Sequence, residues 1–144
     1  MRTPVRNRQT SVVVVFNGLQ NFADTNATSA ARLFGGNANT VTKIDLSRMR
    51  RVRLTANRRG NAGAAGYSIE LQYHTSYSAS VGSYARIGTS AVSVACPTGD
   101  LYYDSGWVEL VSGARSDVYI AIVGAGGDGV QDPNFAMITA EFIT

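Results

Sequence analysis

Few residues in this chain have the chemistry of a catalytic or metal site. The 144-residue sequence contains one histidine, His74, and one cysteine, Cys96. A single cysteine cannot form an internal disulfide or a cysteine zinc cluster, and one histidine removes most histidine-based metal sites and triads. His74 ends a strand-like segment, where a partly exposed polar residue is the ordinary interpretation. We therefore expect no catalytic residues, no cofactor and no metal ligand, and a function other than that of an enzyme.

A glycine-rich segment at residues 124–129 has the Gly-x-Gly-x-x-Gly spacing of a phosphate-binding loop. Phosphate binding by such a loop depends on the backbone N–H groups at the start of a following helix. Pro133 prevents a helix from running through the residues that follow. The spacing therefore predicts a turn between two strands.

Acidic residues cluster in two predicted loops. Carboxylates on loops at one end of a β-sandwich can bind Ca²⁺ together with backbone carbonyls. The spacing here is not that of a helix–loop–helix calcium site, and aspartate is also a common turn former. The pattern favours turns over calcium binding. The residues concerned are Asp100, Asp104, Asp128 and Asp132.

Charge is distributed unevenly along the chain, whose formal net charge is +3. Residues 1–59 contain eleven basic and two acidic residues, a net +9, whereas residues 60–144 contain two basic and eight acidic residues, a net −6. This asymmetry is typical of nucleic-acid binding. It equally fits self-association, in which the basic part of one copy meets the acidic part of another.

The densest basic stretch covers residues 48–53 and lies on a predicted strand. Strand alternation directs only Arg51 and Arg53 outward together. No aromatic residue is interleaved, so the pattern does not support a stacking platform for single-stranded nucleic acid. We interpret Arg51 and Arg53, together with Trp107, as possible subunit contacts.

The segments that position the residues discussed above have mainly the sequence patterns of β-strands. Alternating or β-branched segments separated by Gly, Asn, Asp and Pro turns predict an antiparallel, all-β sandwich, jelly-roll-like, at residues 37–144. A closed eight-stranded barrel is the structural alternative. The stronger predicted strands are Ser11–Phe16, Thr40–Leu46, Arg51–Ala56, Tyr67–Tyr73, Asp117–Val123 and Phe135–Ile143, and the weaker ones are Ser83–Ile87, Ala91–Val94 and Gly106–Val111.

Residues 1–36 are expected to form an extended N-terminal arm with at most one short helix. Capping residues, alanines and a terminal Gly-Gly pair place that helix at Asp24 to Phe34. We expect the arm to lie on another chain, with its cations on acidic partner surface and its valine run adding a strand to a neighbouring sheet. The proposed arm contacts are Arg2, Arg6, Arg8, Val12, Val13, Val14, Val15 and Phe16.

Three stretches in the C-terminal half have a residue pattern that is shared with a known class of proteins. They are residues 105–110 (SGWVEL), 116–124 (SDVYIAIVG) and 127–135 (GDGVQDPNF). This half, residues 67–144, resembles small virion proteins of tailed bacteriophages, among them jelly-roll head-decoration or cement proteins. The resemblance implies a compact sandwich on the capsid lattice, often a trimer, that locks neighbouring capsid subunits together. It carries over no catalytic residue and does not cover the arm.

These observations predict a structural virion protein, namely a decoration protein on the capsid surface. Its expected partners are the major capsid protein and copies of itself, most simply as a trimer. No membrane partner is expected, because no apolar run approaches ~20 residues. The chain's tyrosines and its tryptophan support an alternative, a carbohydrate- or receptor-binding module of a virion fibre. A second alternative is a coat component that contacts nucleic acid, although the sequence favours protein partners over nucleic acid.

Overall fold

The computed structural model describes residues 10–16, 20–21, 30–33, 43–59, 67–78, 83–95, 102–125 and 134–144. These residues form twelve strands, with a short 3-10 turn at Ser112–Ala114. The strands are β1 (Ser11–Phe16), β2 (Gln20–Asn21), β3 (Ala30–Leu33), β4 (Ile44–Asp45), β5 (Arg51–Arg59), β6 (Ser68–His74), β7 (Ala85–Arg86), β8 (Ser93–Ala95), β9 (Tyr102–Asp104), β10 (Val108–Glu109), β11 (Asp117–Ala125) and β12 (Asn134–Ile143). Within this part of the chain, no helix is long and apolar enough to span a membrane.

The strands form two antiparallel sheets of six strands each. In the first sheet the order is β1-β12-β5-β10, with β2 beside β12 and β9 beside β5. In the second sheet the order is β3-β11-β6-β7, with β4 beside β11 and β8 beside β6. The long strands β12 and β5 occupy the middle of the first sheet, and β11 and β6 occupy the middle of the second. The prediction of an all-β antiparallel sandwich is confirmed.

The core lies between the two sheets and follows the predicted alternation. Each central strand directs every second side chain inward, and a half-buried antiparallel strand has this period of two. Burying such aliphatic and aromatic groups is the main favourable contribution to folding. The fully buried residues of the central strands include Val52, Leu54, Ile69, Leu71, Val118, Ile120, Ile122, Ile138, Ala140 and Phe142.

The predicted helix at Asp24 to Phe34 is wrong over Ala30–Leu33. These four residues form β3, which pairs antiparallel with β11 from Ala30↔Gly124 to Leu33↔Ala121. Alanine has a high helix propensity, but a helix this short is marginal by itself, and the backbone hydrogen bonds offered by the edge of β11 override the propensity. The rest of the predicted helix lies outside the described residues.

The segment expected to reach another chain pairs instead with its own. Strand β1 lies antiparallel to β12, in continuous register from Ser11↔Ile143 to Phe16↔Ile138. Val14 and Phe16 enter the core, which explains why the valine run stays with its own sandwich. Arg2, Arg6 and Arg8 lie outside the described residues, so their contacts remain a prediction.

Candidate contact surface

The side chains of the first sheet that point away from the core form one continuous surface, which we call the outer face. It arises because the side chains along β1, β12 and β5 point alternately to the two faces of the sheet, so that every second one is directed away from the core. The members of the outer face are Val13, Val15, Met137, Thr139, Glu141, Arg51, Arg53, Thr55, Asn57, Tyr102, Asp104, Trp107 and Glu109.

The outer face contains most of the exposed large hydrophobic side chains. The described part of the chain exposes five of them, and Val13, Met137, Tyr102 and Trp107 lie on this face. The cross-strand register places Met137 opposite Asn57 and Asn57 opposite Tyr102. Val13 lies at the β1 edge, and Trp107 lies toward β10. Exposed apolar groups gathered on one face are typical of a contact site.

Arg53 organises the centre of this face. Its Nη2 and Nε atoms donate to Oε2 of Glu141 at 2.6 and 3.2 Å, and its Nη1 atom lies 3.5 Å from Oδ2 of Asp104. The guanidinium carbon is 4.7 Å from the ring centre of Trp107, within the range of a cation–π contact. The hydrogen bond to Glu141 is the main cause that raises the pKa of Arg53 above its ordinary value. Arg53 therefore contacts three outer-face groups from two parts of the chain, residues 104–107 and residue 141.

A second, more exposed ion pair lies at one end of the same face. Arg51 Nε donates to Oε1 of Glu109 at 3.1 Å, and Oε2 of Glu109 is 3.9 Å from Nη2 of Arg115. Arg115 also donates to the backbone carbonyl of Leu110 at 3.2 Å. The basic strand β5 therefore lies beside strands that carry three acidic residues of the second half, Asp104, Glu109 and Glu141.

The structure brings together the three residues that the sequence indicated as subunit contacts. Arg51, Arg53 and Trp107 all lie on the outer face, although their immediate partners are groups of their own chain. Contact with another subunit stays a prediction. Because both arginines are already paired with carboxylates of their own chain, they are less available to bind the phosphate groups of a nucleic acid.

Sequence reasoning missed other members of the outer face. The sequence pattern predicts no strand at Tyr102–Asp104, and its prediction for β12 names only the inward-facing residues, not Met137 and Glu141. A usable signal was present in β12, because Ile138, Ala140 and Phe142 were predicted to face inward, and their neighbours must then face outward.

His74 lies half-buried in a cleft of about 170 Å³ lined by Tyr73, His74, Thr75, Ser83 and Ala85. Its Nδ1 atom accepts a hydrogen bond from the Ser76 backbone N–H at 3.0 Å and lies 3.2 Å from Ser76 Oγ. A histidine that activates a serine needs a free lone pair directed at the hydroxyl. Here the lone pair already accepts the N–H, so the contact is that of a local turn.

The acidic loops give no metal centre in the part of the chain that is described. No group of three or more His, Cys, Asp or Glu side chains there could hold an ion. Asp104 behaves as a turn former, since its Oδ1 atom accepts the Gly106 backbone N–H at 2.8 Å. Asp100, Asp128, Asp132 and Cys96 lie outside the described residues.

Tyrosines on the other side of the sandwich serve packing. The Tyr77 and Tyr119 rings meet edge to face at 6.1 Å, and Lys43 Nζ lies 5.4 Å from the centre of the Tyr119 ring. Tyr84 is buried beside Ala121, and its hydroxyl donates to the Ser78 carbonyl at 3.0 Å. Burial raises the pKa of Tyr84. This cluster covers the outer side of β11.

Comparison with known proteins gives only distant similarities. No protein-family model and no curated protein matches the chain. Among solved structures, the chain is similar to Desmodium yellow mottle tymovirus, at 11% identity and a TM-score of 0.41, covering 100% of this chain and 93% of that one. It is similar to PirA at 11% identity and a TM-score of 0.34, covering 97% and 99%. It is also similar to the K1 cleaved adhesin domain of Lys-gingipain from Porphyromonas gingivalis W83, at 13% identity and a TM-score of 0.39, covering 96% and 98%. At TM-scores this low, these similarities support no functional conclusion.

Proposed function

We propose that this protein is a structural virion protein that decorates a capsid and stabilises it by surface contact. Its partners in this proposal are the major capsid protein and copies of itself. The observation that carries the proposal is the outer face, where exposed apolar side chains surround an arginine held in place by its own chain. The resemblance of residues 67–144 to head-decoration proteins supports the same function.

The outer face has the properties that favour binding to a repeating surface. Tryptophan, tyrosine and arginine contribute disproportionately to protein interfaces. Because Arg53 contacts Trp107, Glu141 and Asp104 before any partner arrives, the side chains lose little conformational entropy on binding. A decoration protein repeats the same contact at many lattice positions, so modest contacts per copy suffice when copies are linked.

Co-sedimentation with assembled capsids of the same virus tests this proposal. We expect Trp107→Ala combined with Tyr102→Ala to reduce capsid occupancy about tenfold at limiting protein, since the loss removes two exposed aromatic contacts. Tyr77→Ala is the matched control, because Tyr77 and Trp107 are each 39% exposed and Tyr77 follows β6 and packs against Tyr119 of the other sheet.

The control variant should bind capsids as the unmodified protein does. Urea unfolding of all three proteins checks that the substitutions leave the sandwich intact. Absence of the unmodified protein from the capsid pellet would refute the proposal, as would equal occupancy of the double variant.

A second candidate function is carbohydrate or receptor binding by the same face. The observation that favours it is the pair of exposed aromatic residues, Trp107 and Tyr102, beside the polar side chains of Asp104 and Asn57. Aromatic faces next to hydrogen-bonding groups are suited to sugar rings. A glycan array probed with the unmodified protein and with Trp107→Ala tests this candidate. A signal that disappears in the variant would support it, and a blank array would exclude it.

A further inference from the structure

Strand β1 differs from every other edge strand in the described part of the fold. It has six residues, whereas the other edge strands, β2, β3, β4, β7, β8, β9 and β10, have two to four. Short edge strands protect a sheet from pairing with other chains, as do lysine, proline and β-bulges. The sequence SVVVVF contains no charge, proline or glycine, and its register with β12 is uninterrupted. Strand β1 therefore has none of these protective features.

The hydrogen bonds at the end of β1 show which of its backbone groups are directed away from β12. Thr144 N–H donates to the Thr10 carbonyl at 3.1 Å, so this opposed pair is hydrogen bonded. Opposed residues in an antiparallel pair alternate between hydrogen-bonded and non-hydrogen-bonded. Val12 and Val14 therefore bond to β12, and the N–H and C=O groups of Ser11, Val13 and Val15 point to the other side. No strand pairs with that side among the described residues.

We propose that this free edge of β1 binds the β1 of a second copy of the chain in antiparallel orientation, across a two-fold axis at Val13. In this register Val13 faces Val13 of the partner, and Ser11 faces Val15. The backbone N–H and C=O groups of Ser11, Val13 and Val15 that point away from β12 then form about six hydrogen bonds between the two copies. On the inner side Val12 lies opposite Val14, so the apolar interior continues from one copy into the next.

A second copy is the partner that this edge fits best. A two-fold axis pairs the strand with itself, so every free group meets a group of the right kind, as an isologous interface requires. Strand β1 carries no charge, and therefore brings no like charges into opposition. The nearest charged residue on the outer face, Glu141, is paired with Arg53. Strands β12 of the two copies would be separated by about three strand spacings, ~14 Å, beyond the Debye length of ~8 Å at physiological salt.

This inference rests on the proposed function, in which the dimer supplies the contact between copies of the protein. It specifies a dimer, whereas the bacteriophage resemblance implies a trimer. It uses the backbone edge of β1, whereas capsid binding is tested through Trp107 and Tyr102, at the opposite side of the outer face. The two proposals can therefore fail separately.

Light scattering on the full-length protein, over about a hundredfold range of concentration, tests the interface without capsids. We expect twice the monomer mass at high concentration. Val13→Lys should raise the dimer dissociation constant at least tenfold, because two lysines would face each other at the axis. Val13 is 54% exposed, so the monomer should tolerate the change. Val13→Pro should also weaken the dimer, because proline removes an N–H group that forms a hydrogen bond in the dimer and none with β12 in the monomer.

Met137→Lys separates the edge from the outer face. Met137 is 50% exposed on the outer face but lies on β12, so this variant should remain a dimer. Hydrogen exchange gives a second readout. The amides of Val13 and Val15 should be protected only in the dimer, whereas those of Val12 and Val14 should be protected in both states.

Three outcomes would overturn the proposal: a monomer at every concentration, a trimer, or a dimer that both Val13 variants leave unchanged. A dimer lost in Met137→Lys but kept in Val13→Pro would likewise overturn it, because it would locate the contact on the outer face. Capsid occupancy is measured separately, on the Trp107→Ala and Tyr102→Ala double variant, whose changes lie away from β1, and its failure would bear on the proposed function alone.

Discussion

Two ion pairs of the outer face, Arg53–Glu141 and Arg51–Glu109, differ in how exposed their side chains are. The side chains of Arg53 and Glu141 are 33% and 28% exposed, and Arg53 also contacts Trp107. The side chains of Arg51 and Glu109 are 56% and 52% exposed. Exposed pairs contribute little to stability because water screens the charges and the side chains lose entropy when they are held together. Partial burial and a second contact should make the Arg53 pair the stronger of the two.

Glu141→Gln should therefore lower the free energy of unfolding by about 1 kcal/mol. The matched change Glu109→Gln should lower it by less than about 0.5 kcal/mol. Urea unfolding midpoints of the two variants check the difference. Equal effects would mean that burial does not decide the strength of these pairs, and a larger effect of Glu109→Gln would contradict the prediction.

At the scale of elements, β1 is the strand whose role differs most from the sequence expectation. The sequence predicts that this strand leaves its own sandwich and pairs with the sheet of a neighbouring chain. In the structure it completes the first sheet, with Val14 in the core and Val13 on the outer face. If β1 belongs to its own sandwich, the stability of the chain must depend on its inward-facing residues and hardly at all on its outward-facing ones.

Val14→Ala should lower the free energy of unfolding by about 2 kcal/mol, because Val14 is 3% exposed and its loss leaves a cavity. Val13→Ala should lower it by less than about 0.5 kcal/mol. Unfolding of dilute protein, where copies do not associate, isolates the effect within one chain. Equal and negligible effects of both changes would mean that β1 detaches from the sandwich in solution.

Local pattern predicts the central strands because each has one buried and one exposed face. Strands β5, β6, β11 and β12 were all found from their alternation. The partner with which a strand pairs is not determined by the local sequence. This explains why a helix is wrongly predicted over Ala30–Leu33: the alanines favour a helix, but hydrogen bonds to β11 make the segment a strand. It also explains why the partners of Arg53 were missed, since Glu141 is brought beside it only by the register of β12. A bulge between Phe135 and Met137 lets both Phe135 and Ile138 face inward, which strict alternation would forbid.

At the scale of the whole molecule, the fold brings the basic first half of the chain against the acidic second half. Arg51 and Arg53 of β5 meet Glu109 and Glu141, and the charge asymmetry is partly neutralised inside one copy. The asymmetry alone therefore gives weaker support to pairing between copies than the sequence suggested. Part of the remaining basic charge lies in the run at residues 1–9, which contains three arginines and no acidic residue.

Removing residues 1–9 tests whether that run is a binding arm. Thr10 must be kept, because it exchanges hydrogen bonds with Thr144 at the end of β1. The deletion lowers the formal net charge from +3 to 0. If these arginines contact acidic capsid surface, occupancy in low salt should fall several-fold. The difference should shrink as ionic strength rises toward ~1 M, where the Debye length is ~3 Å. The urea midpoint should stay unchanged, because β1 and the core are intact.

Replacing Arg2, Arg6 and Arg8 together by glutamine is the control that separates charge from length. If charge is what binds, this full-length variant should lose as much occupancy as the deletion. Unchanged occupancy of both variants would show that the run makes no contact with the capsid. A lowered urea midpoint in the deletion alone would show that residues 1–9 pack against the sandwich, and the arm would then be part of the body that it was expected to leave.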